Sequence, residues 1–138
     1  MSERLLTAGG CLCGALRDEA RGEPLHVGYC HCRSCRHHTG APVAAMLVFR
    51  ADRVRFPAGE RRRYRSSPEA LRGFCARCGT PLSYESHTTA DEVHVYVSTI
   101  DDPDAFPATA HVFARERIAW FDVADDLTRH PGSSLEGE

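Results

Sequence analysis

Short apolar runs separated by turn-forming residues recur along the whole chain, and none has the period of a long amphipathic helix. Residues 24–29 are typical, because Leu25, Val27 and Tyr29 alternate with other residues and would share one face of a strand. The pattern predicts strands at residues 15–20, 24–29, 43–49, 54–56, 62–65, 71–74, 80–84, 93–100, 110–114 and 118–123. We therefore expect an all-β, mainly antiparallel fold with few or no long helices.

Residues 33–39 interrupt this strand pattern. They contain no strong strand former before Thr39, and Gly40 follows them. Ser34 could cap a short helical turn that stops at Gly40. We interpret the segment as a turn between two strands.

The length and the ends of the chain favour one domain over residues 1–138. A chain of 138 residues is long enough to bury a core and short of two ordinary domains. We expect a loose lead-in over residues 1–8, a core over about 9–126, and a flexible tail over 129–138, where Pro, Gly, Ser and Glu dominate.

Charge and hydropathy exclude some partners. The formal net charge is −2, so no general positive field favours nucleic acid. The basic run at residues 61–65 is predicted to be a solvated strand face rather than an anion contact. The N-terminal residues 1–7 contain no apolar signal-peptide core, and no run approaches a membrane span. We expect a cytoplasmic protein with no membrane partner.

The number and spacing of the cysteines indicate metal binding. Seven is an odd number, and the spacings Cys-x-Cys, Cys-x-Cys-x-x-Cys and Cys-x-x-Cys are typical of metal ligands rather than of disulfides, which a reducing cytosol would not preserve. Zinc is the default metal for such thiolates. The residues concerned are Cys11, Cys13, Cys30, Cys32, Cys35, Cys75 and Cys78.

Local geometry supports two of these motifs as ligand pairs. Cys11 and Cys13 would share one face of an extended segment, and Gly14 leaves the backbone free to turn towards the sulfur atoms. Cys75 and Cys78, followed by Gly79, have the spacing of a zinc knuckle between two strands.

Spacing alone leaves the grouping of the seven thiols open. One division forms a complete structural site from Cys11, Cys13, Cys75 and Cys78. It leaves Cys30, Cys32 and Cys35 as an incomplete site. Alternatively His31, His37 or His38 completes a second architectural site. A third division forms a zinc ribbon from the residues Cys32, Cys35, Cys75 and Cys78.

The arginines, histidines and tryptophan outside the cysteine pattern are assigned less specific roles. Residues 33–38 include two arginines and two histidines that could offset thiolate charge. His26, His94 and His111 lie on predicted strands and are expected to be packed or partly exposed, and His87 is expected to be solvated. Trp120 is predicted to anchor the core.

The order of the motifs resembles the glutathione-dependent formaldehyde-activating enzyme family, which shares its domain with centromere protein V. The likeness runs from Gly10 to about Asp126. Its pieces are Gly-Cys-Leu-Cys-Gly at 10–14, Cys-His-Cys-Arg-Ser-Cys-Arg at 30–36, Tyr-Arg-Ser-Ser at 64–67, Phe-Cys-Ala-Arg-Cys-Gly-Thr at 74–80, Pro107, His111 and Trp120.

The resemblance implies a fold, two zinc sites and an activity. The fold is a β-tent of stacked antiparallel sheets. The structural zinc ligands would be Cys11, Cys13, Cys75 and Cys78, and the catalytic zinc ligands would be Cys30, Cys32 and Cys35. The family activity is a carbon–sulfur lyase reaction run in reverse, in which formaldehyde adds to glutathione to give S-hydroxymethylglutathione. A non-catalytic binding or scaffold module, and a thiol or redox sensor with a labile zinc, are the alternative hypotheses.

Overall fold

Two β-sheets account for most of the chain in the computed structural model, which describes residues 5–134. Eleven strands and one α-helix are found in this range. They are β1 (Leu6–Gly10), β2 (Arg17–Arg21), β3 (His26–Cys30), α1 (Arg33–Thr39), β4 (Ala44–Arg50), β5 (Val54–Ala58), β6 (Arg61–Ser67), β7 (Ala70–Cys75), β8 (Pro81–Ser86), β9 (Glu92–Tyr96), β10 (Ala110–Val112) and β11 (Thr128–Arg129). The predicted all-β class is confirmed.

The larger sheet has the strand order β11-β10-β3-β4-β9-β8-β7-β6, and the smaller one has the order β1-β2-β5. Every pairing is antiparallel except that β10 runs parallel to both β3 and β11. The predicted predominance of antiparallel pairing is therefore confirmed.

Gly9 of β1 forms an isolated antiparallel bridge with Ile100, which lies beyond the end of β9. A Cβ atom on Gly9 would lie 2.7 Å from the carbonyl oxygen of Thr99. Only glycine therefore fits at this contact without a shift of the backbone.

The core lies between the two sheets and follows from the period-two pattern. Val27, Leu47 and Val95 point from β3, β4 and β9 towards Ala20 of β2. The alternate residues of the same strands face the other way. They form the floor of a cleft, which holds the candidate site.

Helix α1 corrects the predicted turn at residues 33–39. Its N-cap is Cys32 rather than Ser34, because the Sγ atom of Cys32 accepts a hydrogen bond from the backbone N–H of Cys35 at 3.2 Å. It ends where predicted, at Gly40, whose φ of 69° favours glycine. No helix among residues 5–134 is long and apolar enough to cross a membrane.

The predicted strand at 118–123 is wrong, and so is the buried position of Trp120. The segment is a turn, because the Arg117 guanidinium draws it together by donating to the backbone carbonyls of Ile118, Ala119 and Phe121. The side chain of Trp120 is 77% exposed. The predicted strand at 93–100 also ends early, because residues 97–99 form a 3-10 turn.

Both ends of the described chain are more regular than expected. Residues 6–10 form β1, which overlaps the end of the lead-in predicted over residues 1–8. Near the other end, the backbone N–H groups of Phe113 and Ala114 donate to the carbonyls of Gly132 and His130, at 2.8 and 3.0 Å. The start of the predicted flexible tail is thus paired with the sheet, and residues 135–138 lie outside the described residues.

Candidate metal centres and the adjoining cleft

The first cysteine group joins two turns that are distant in sequence. The Sγ atoms of Cys11, Cys13, Cys75 and Cys78 all lie within 4.8 Å of one another. The Sγ atoms of Cys11 and Cys13 are 3.5 Å apart, and those of Cys13 and Cys75 are 3.9 Å apart. Tetrahedral zinc with Zn–S bonds of about 2.3 Å needs sulfur–sulfur distances of about 3.8 Å. The donor set therefore fits zinc.

Backbone N–H groups surround this four-sulfur group. The N–H of Leu16 points at Cys11 Sγ from 3.2 Å, and the amides two and three positions after Cys75 point at its Sγ from 3.3 and 3.4 Å. The hydroxyl of Thr80, 3.1 Å from Cys78 Sγ, is the main cause that lowers the pKa of Cys78 to about 5. These donors favour thiolates, which are the forms that bind metal.

The second cysteine group lies where β3 meets α1. Cys30 is the last residue of β3, Cys32 is the N-cap of α1, and Cys35 is in the first turn of the helix. Their three Sγ atoms also lie within 4.8 Å of one another. The two groups share no cysteine, so the structure does not bring Cys32 and Cys35 to the Cys75–Cys78 knuckle as the ribbon alternative requires.

The three thiols of this group are not equivalent. Hydrogen bonds from the Cys30 and Cys35 side chains lower the pKa of Cys32, and the bond to Cys32 raises that of Cys30. The hydrogen bonds among the three side chains thus favour a thiolate at Cys32 over one at Cys30. A form with three thiolates needs additional positive charge nearby.

Histidines do not complete the second group within residues 5–134. No histidine nitrogen there joins the three sulfur atoms at the 4.8 Å spacing. His31 Nε2 is 2.8 Å from His111 Nδ1, and His38 Nδ1 is 2.8 Å from the hydroxyl of Tyr96. His37 is exposed. The described residues thus offer three ligands and room for a fourth from outside.

His111 belongs to a buried hydrogen-bonded chain that the sequence interpretation missed. His111 Nε2 is 3.0 Å from Oδ2 of Asp125. Burial would raise the pKa of Asp125, but the hydrogen bonds from His111 and from the Leu127 N–H lower it to about 2. An ionised Asp125 only accepts, so His111 donates from Nε2, and the Nδ1 atom of His111 is hydrogen-bonded to Nε2 of His31. The Nε2 atom of His31 is therefore occupied by its hydrogen bond to His111.

Arg72 is a further site residue that the sequence interpretation missed. Its side chain is buried, with the residue 6% exposed, and its Nη1 atom is 3.4 Å from Cys35 Sγ. Its Nε donates to Ser66 Oγ at 3.2 Å, and its guanidinium lies 4.7 Å from the ring centroid of Tyr84. The sequence signal for Arg72 was its charge inside the strand predicted at residues 71–74. The basic side chains of residues 33–38, which were expected to supply this charge, have no hydrogen bond to the sulfur atoms.

A cleft of about 760 Å³ adjoins the second group and is lined by all three of its cysteines and by Arg72. A row of side chains in register across six strands crosses its floor. The row consists of His26, Val48, His94, Tyr84, Arg72 and Tyr64, and all of these except Tyr64 line the cleft. A volume of this size accommodates a small-molecule ligand.

Comparison with known proteins supports the resemblance found in the motifs. Residues 6–116 match the family described as glutathione-dependent formaldehyde-activating enzyme. An uncharacterized lyase of Schizosaccharomyces pombe is 34% identical over 76 residues, which cover 55% of this chain and 55% of the relative. The chain thus matches about half the length of this curated relative. A crystal structure of a Rhodobacter sphaeroides protein has a TM-score of 0.58 and 26% identity, over 68% of this chain and 87% of that one.

Proposed function

The chain belongs to the glutathione-dependent formaldehyde-activating enzyme family, and on this basis we propose that it joins a thiol to a small aldehyde at Cys30, Cys32 and Cys35. Glutathione and formaldehyde are the proposed substrate pair. The reaction type is that of a carbon–sulfur lyase run towards addition. The catalytic unit would be a single domain formed by the two stacked sheets.

One observation supports this assignment above the others. The three-sulfur group lines the large cleft, while none of the four cysteines of the first group does. A catalytic zinc site has three protein ligands and an open position, whereas a structural site has four. The two groups fit these two roles, so we assign a structural zinc to the first and a catalytic zinc to the second.

The reaction balances without an oxidant or a reductant. The thiol sulfur forms a bond to the aldehyde carbon, the π electrons of the carbonyl move to its oxygen, and that oxygen takes up the proton that the thiol releases. Zinc, when bound by the three sulfur atoms, favours the ionised form of a nearby thiol and polarises a carbonyl. The reaction has one product, S-hydroxymethylglutathione.

The surrounding elements hold the three cysteines in position. The fixed turn of α1 sets the position of Cys32 and Cys35, and β3 sets that of Cys30. Arg72 of β7 holds Cys35 through a contact of 3.4 Å between Nη1 and Sγ. The aromatic ring of Tyr84 and the side chain of Met46 add apolar walls that exclude water from the reacting atoms.

The experiment measures S-hydroxymethylglutathione formation by the zinc-loaded protein, with the spontaneous reaction subtracted. We expect a protein-dependent rate that requires both substrates and is lost in Cys32→Ser. A rate no higher than the spontaneous one would overturn the substrate assignment. A panel of other thiols and aldehydes would then identify the pair, and a complete lack of turnover would favour a non-catalytic module.

A further inference from the structure

Arg72 is the one buried arginine among residues 5–134, and it has no carboxylate partner there. Ion pairs within 4.0 Å link seven arginines to Asp or Glu side chains, and Arg72 is not among them in residues 5–134. Removing a guanidinium from water is costly unless an opposite charge is close. Its neighbours are instead Ser66, Tyr84, Tyr96 and the sulfur atom of Cys35.

The negative partner of Arg72 is therefore the three-cysteine group. Burial alone would lower the pKa of Arg72, but the nearby Cys35 and Cys32 sulfur atoms raise it above its ordinary value. The guanidinium remains charged in any case, because it does not lose its proton in proteins. A permanent positive charge thus lies 3.4 Å from one ligand of the proposed catalytic zinc.

The first cysteine group has no equivalent of this contact. Its sulfur atoms accept hydrogen bonds from backbone N–H groups and from the Thr80 hydroxyl, and no guanidinium donates to them among the described residues. A guanidinium that donates to a sulfur atom only at the open site, among the described residues, points to a task that the closed site does not have.

Formal charges show what that task is. A zinc dication with three thiolates carries −1, and a thiolate substrate in the open position would bring the centre to −2. With Arg72 included, the same two states carry 0 and −1. The anionic substrate then approaches a neutral centre rather than a negative one.

We propose that Arg72 is the counter-ion of the three-cysteine centre and allows an anionic ligand, the substrate thiolate, to occupy its open position. The inference rests on the proposed function for the identity of the ligand. Arg72 acts as a positioning residue, because it works through Cys35 and through charge rather than by touching the reacting carbon.

The test uses the full chain with cobalt(II) in place of zinc, since sulfur-to-cobalt absorption bands report the number of bound thiolates. Glutathione is titrated at pH 7 into the wild-type protein, Arg72→Met and Arg72→Lys. Arg61→Met is the matched control, because Arg61 is also largely buried but is paired with Glu85. An opposite charge within about 4–6 Å changes a thiol pKa by about 1–3 units, so Arg72→Met should weaken thiolate binding by about tenfold or more.

The expected result has three parts: Arg72→Met binds weakly, Arg72→Lys recovers part of the affinity, and Arg61→Met binds like the wild type. Equal affinities and band intensities for Arg72→Met and wild type would overturn the inference. If Arg72→Met fails to fold, the neutral variant Arg72→Gln replaces it, and an affinity of Arg72→Gln equal to that of the wild type would overturn the inference as well.

Azide separates this inference from the proposed function. As a small anion it can ligate cobalt without any thiol chemistry. If glutathione neither binds nor reacts with the wild type, the proposed substrate fails, and azide still decides the role of Arg72. Weaker azide binding to Arg72→Met than to wild type supports the counter-ion role, and equal binding refutes it.

Discussion

The imidazoles of His31 and His111 are hydrogen-bonded at 2.8 Å in the interior, although 80 positions separate them in sequence. His31 lies between two proposed zinc ligands, and His111 is in the middle of β10. The contact therefore adds a side-chain link between the ligand loop and β10, whose Val112 is already paired with Cys30. Asp125 extends the connection to the segment before β11.

Replacing His111 with Leu should destabilise the protein. The substitution leaves a nitrogen of His31 buried without its partner, which costs about 1–3 kcal/mol. Urea denaturation measures the free energy of unfolding, and His87→Leu is the control because His87 is exposed. Equal effects of both substitutions would show that the buried chain contributes no specific stability.

The two cysteine groups should respond differently to loss of one ligand. Cys78→Ser opens the proposed structural site, whose zinc contributes on the order of 10 kcal/mol to folding, so unfolding at lower temperature is expected together with the loss of one zinc. Cys32→Ser should also lose one zinc but retain most of the thermal stability and lose turnover. Metal analysis and thermal unfolding monitor both. Equal unfolding of the two variants would favour two structural sites.

Asp18 should make the stability depend on pH. The residue is 3% exposed, and burial raises its pKa from 3.8 to about 6. A raised pKa means that the ionised form is disfavoured in the folded protein. The penalty is therefore absent below about pH 4, grows between pH 4 and 6, and reaches up to about 3 kcal/mol above that range.

Asp18→Asn removes this penalty, so the variant should gain stability relative to wild type as the pH rises from 4 to 6. Urea denaturation at several pH values measures the difference. Asp52→Asn should show the opposite sign over a lower range, below about pH 4, because the hydrogen bond with Arg50 lowers the pKa of Asp52 and the ionised form supports the fold. A difference for Asp18→Asn that does not vary with pH would contradict the burial effect.

Trp120 offers a direct optical test of the turn that replaces the predicted strand. It is the single tryptophan of the chain and is largely exposed. Its fluorescence emission in the native protein should lie close to that of the urea-unfolded protein, and acrylamide should quench both to a similar extent. A blue-shifted, poorly quenched native emission would mean that Trp120 is packed, as the sequence pattern had suggested.

Local features of the fold followed from the sequence because they depend on neighbouring residues. The period-two alternation located most strands, since side chains of a strand alternate between two faces. Gly40 marked the end of α1 because few other residues accept its backbone conformation. The cysteine spacings indicated metal chemistry for the same local reason. The start of α1 was wrongly predicted at Ser34, because its cap is the sulfur atom of Cys32 rather than a hydroxyl.

The grouping of the cysteines and the charge beside them were decided by the tertiary structure. Strand order places Cys11 and Cys13 against the turn that follows β7, and it sets Arg72 opposite Cys35, 37 positions away. The same order brings His111 to His31 by pairing β10 with β3. The sequence by itself determined which side chains could bind metal and where the strands lie. Which of those side chains meet depends on contacts between distant strands, and these are set by how the two sheets pack around their common core.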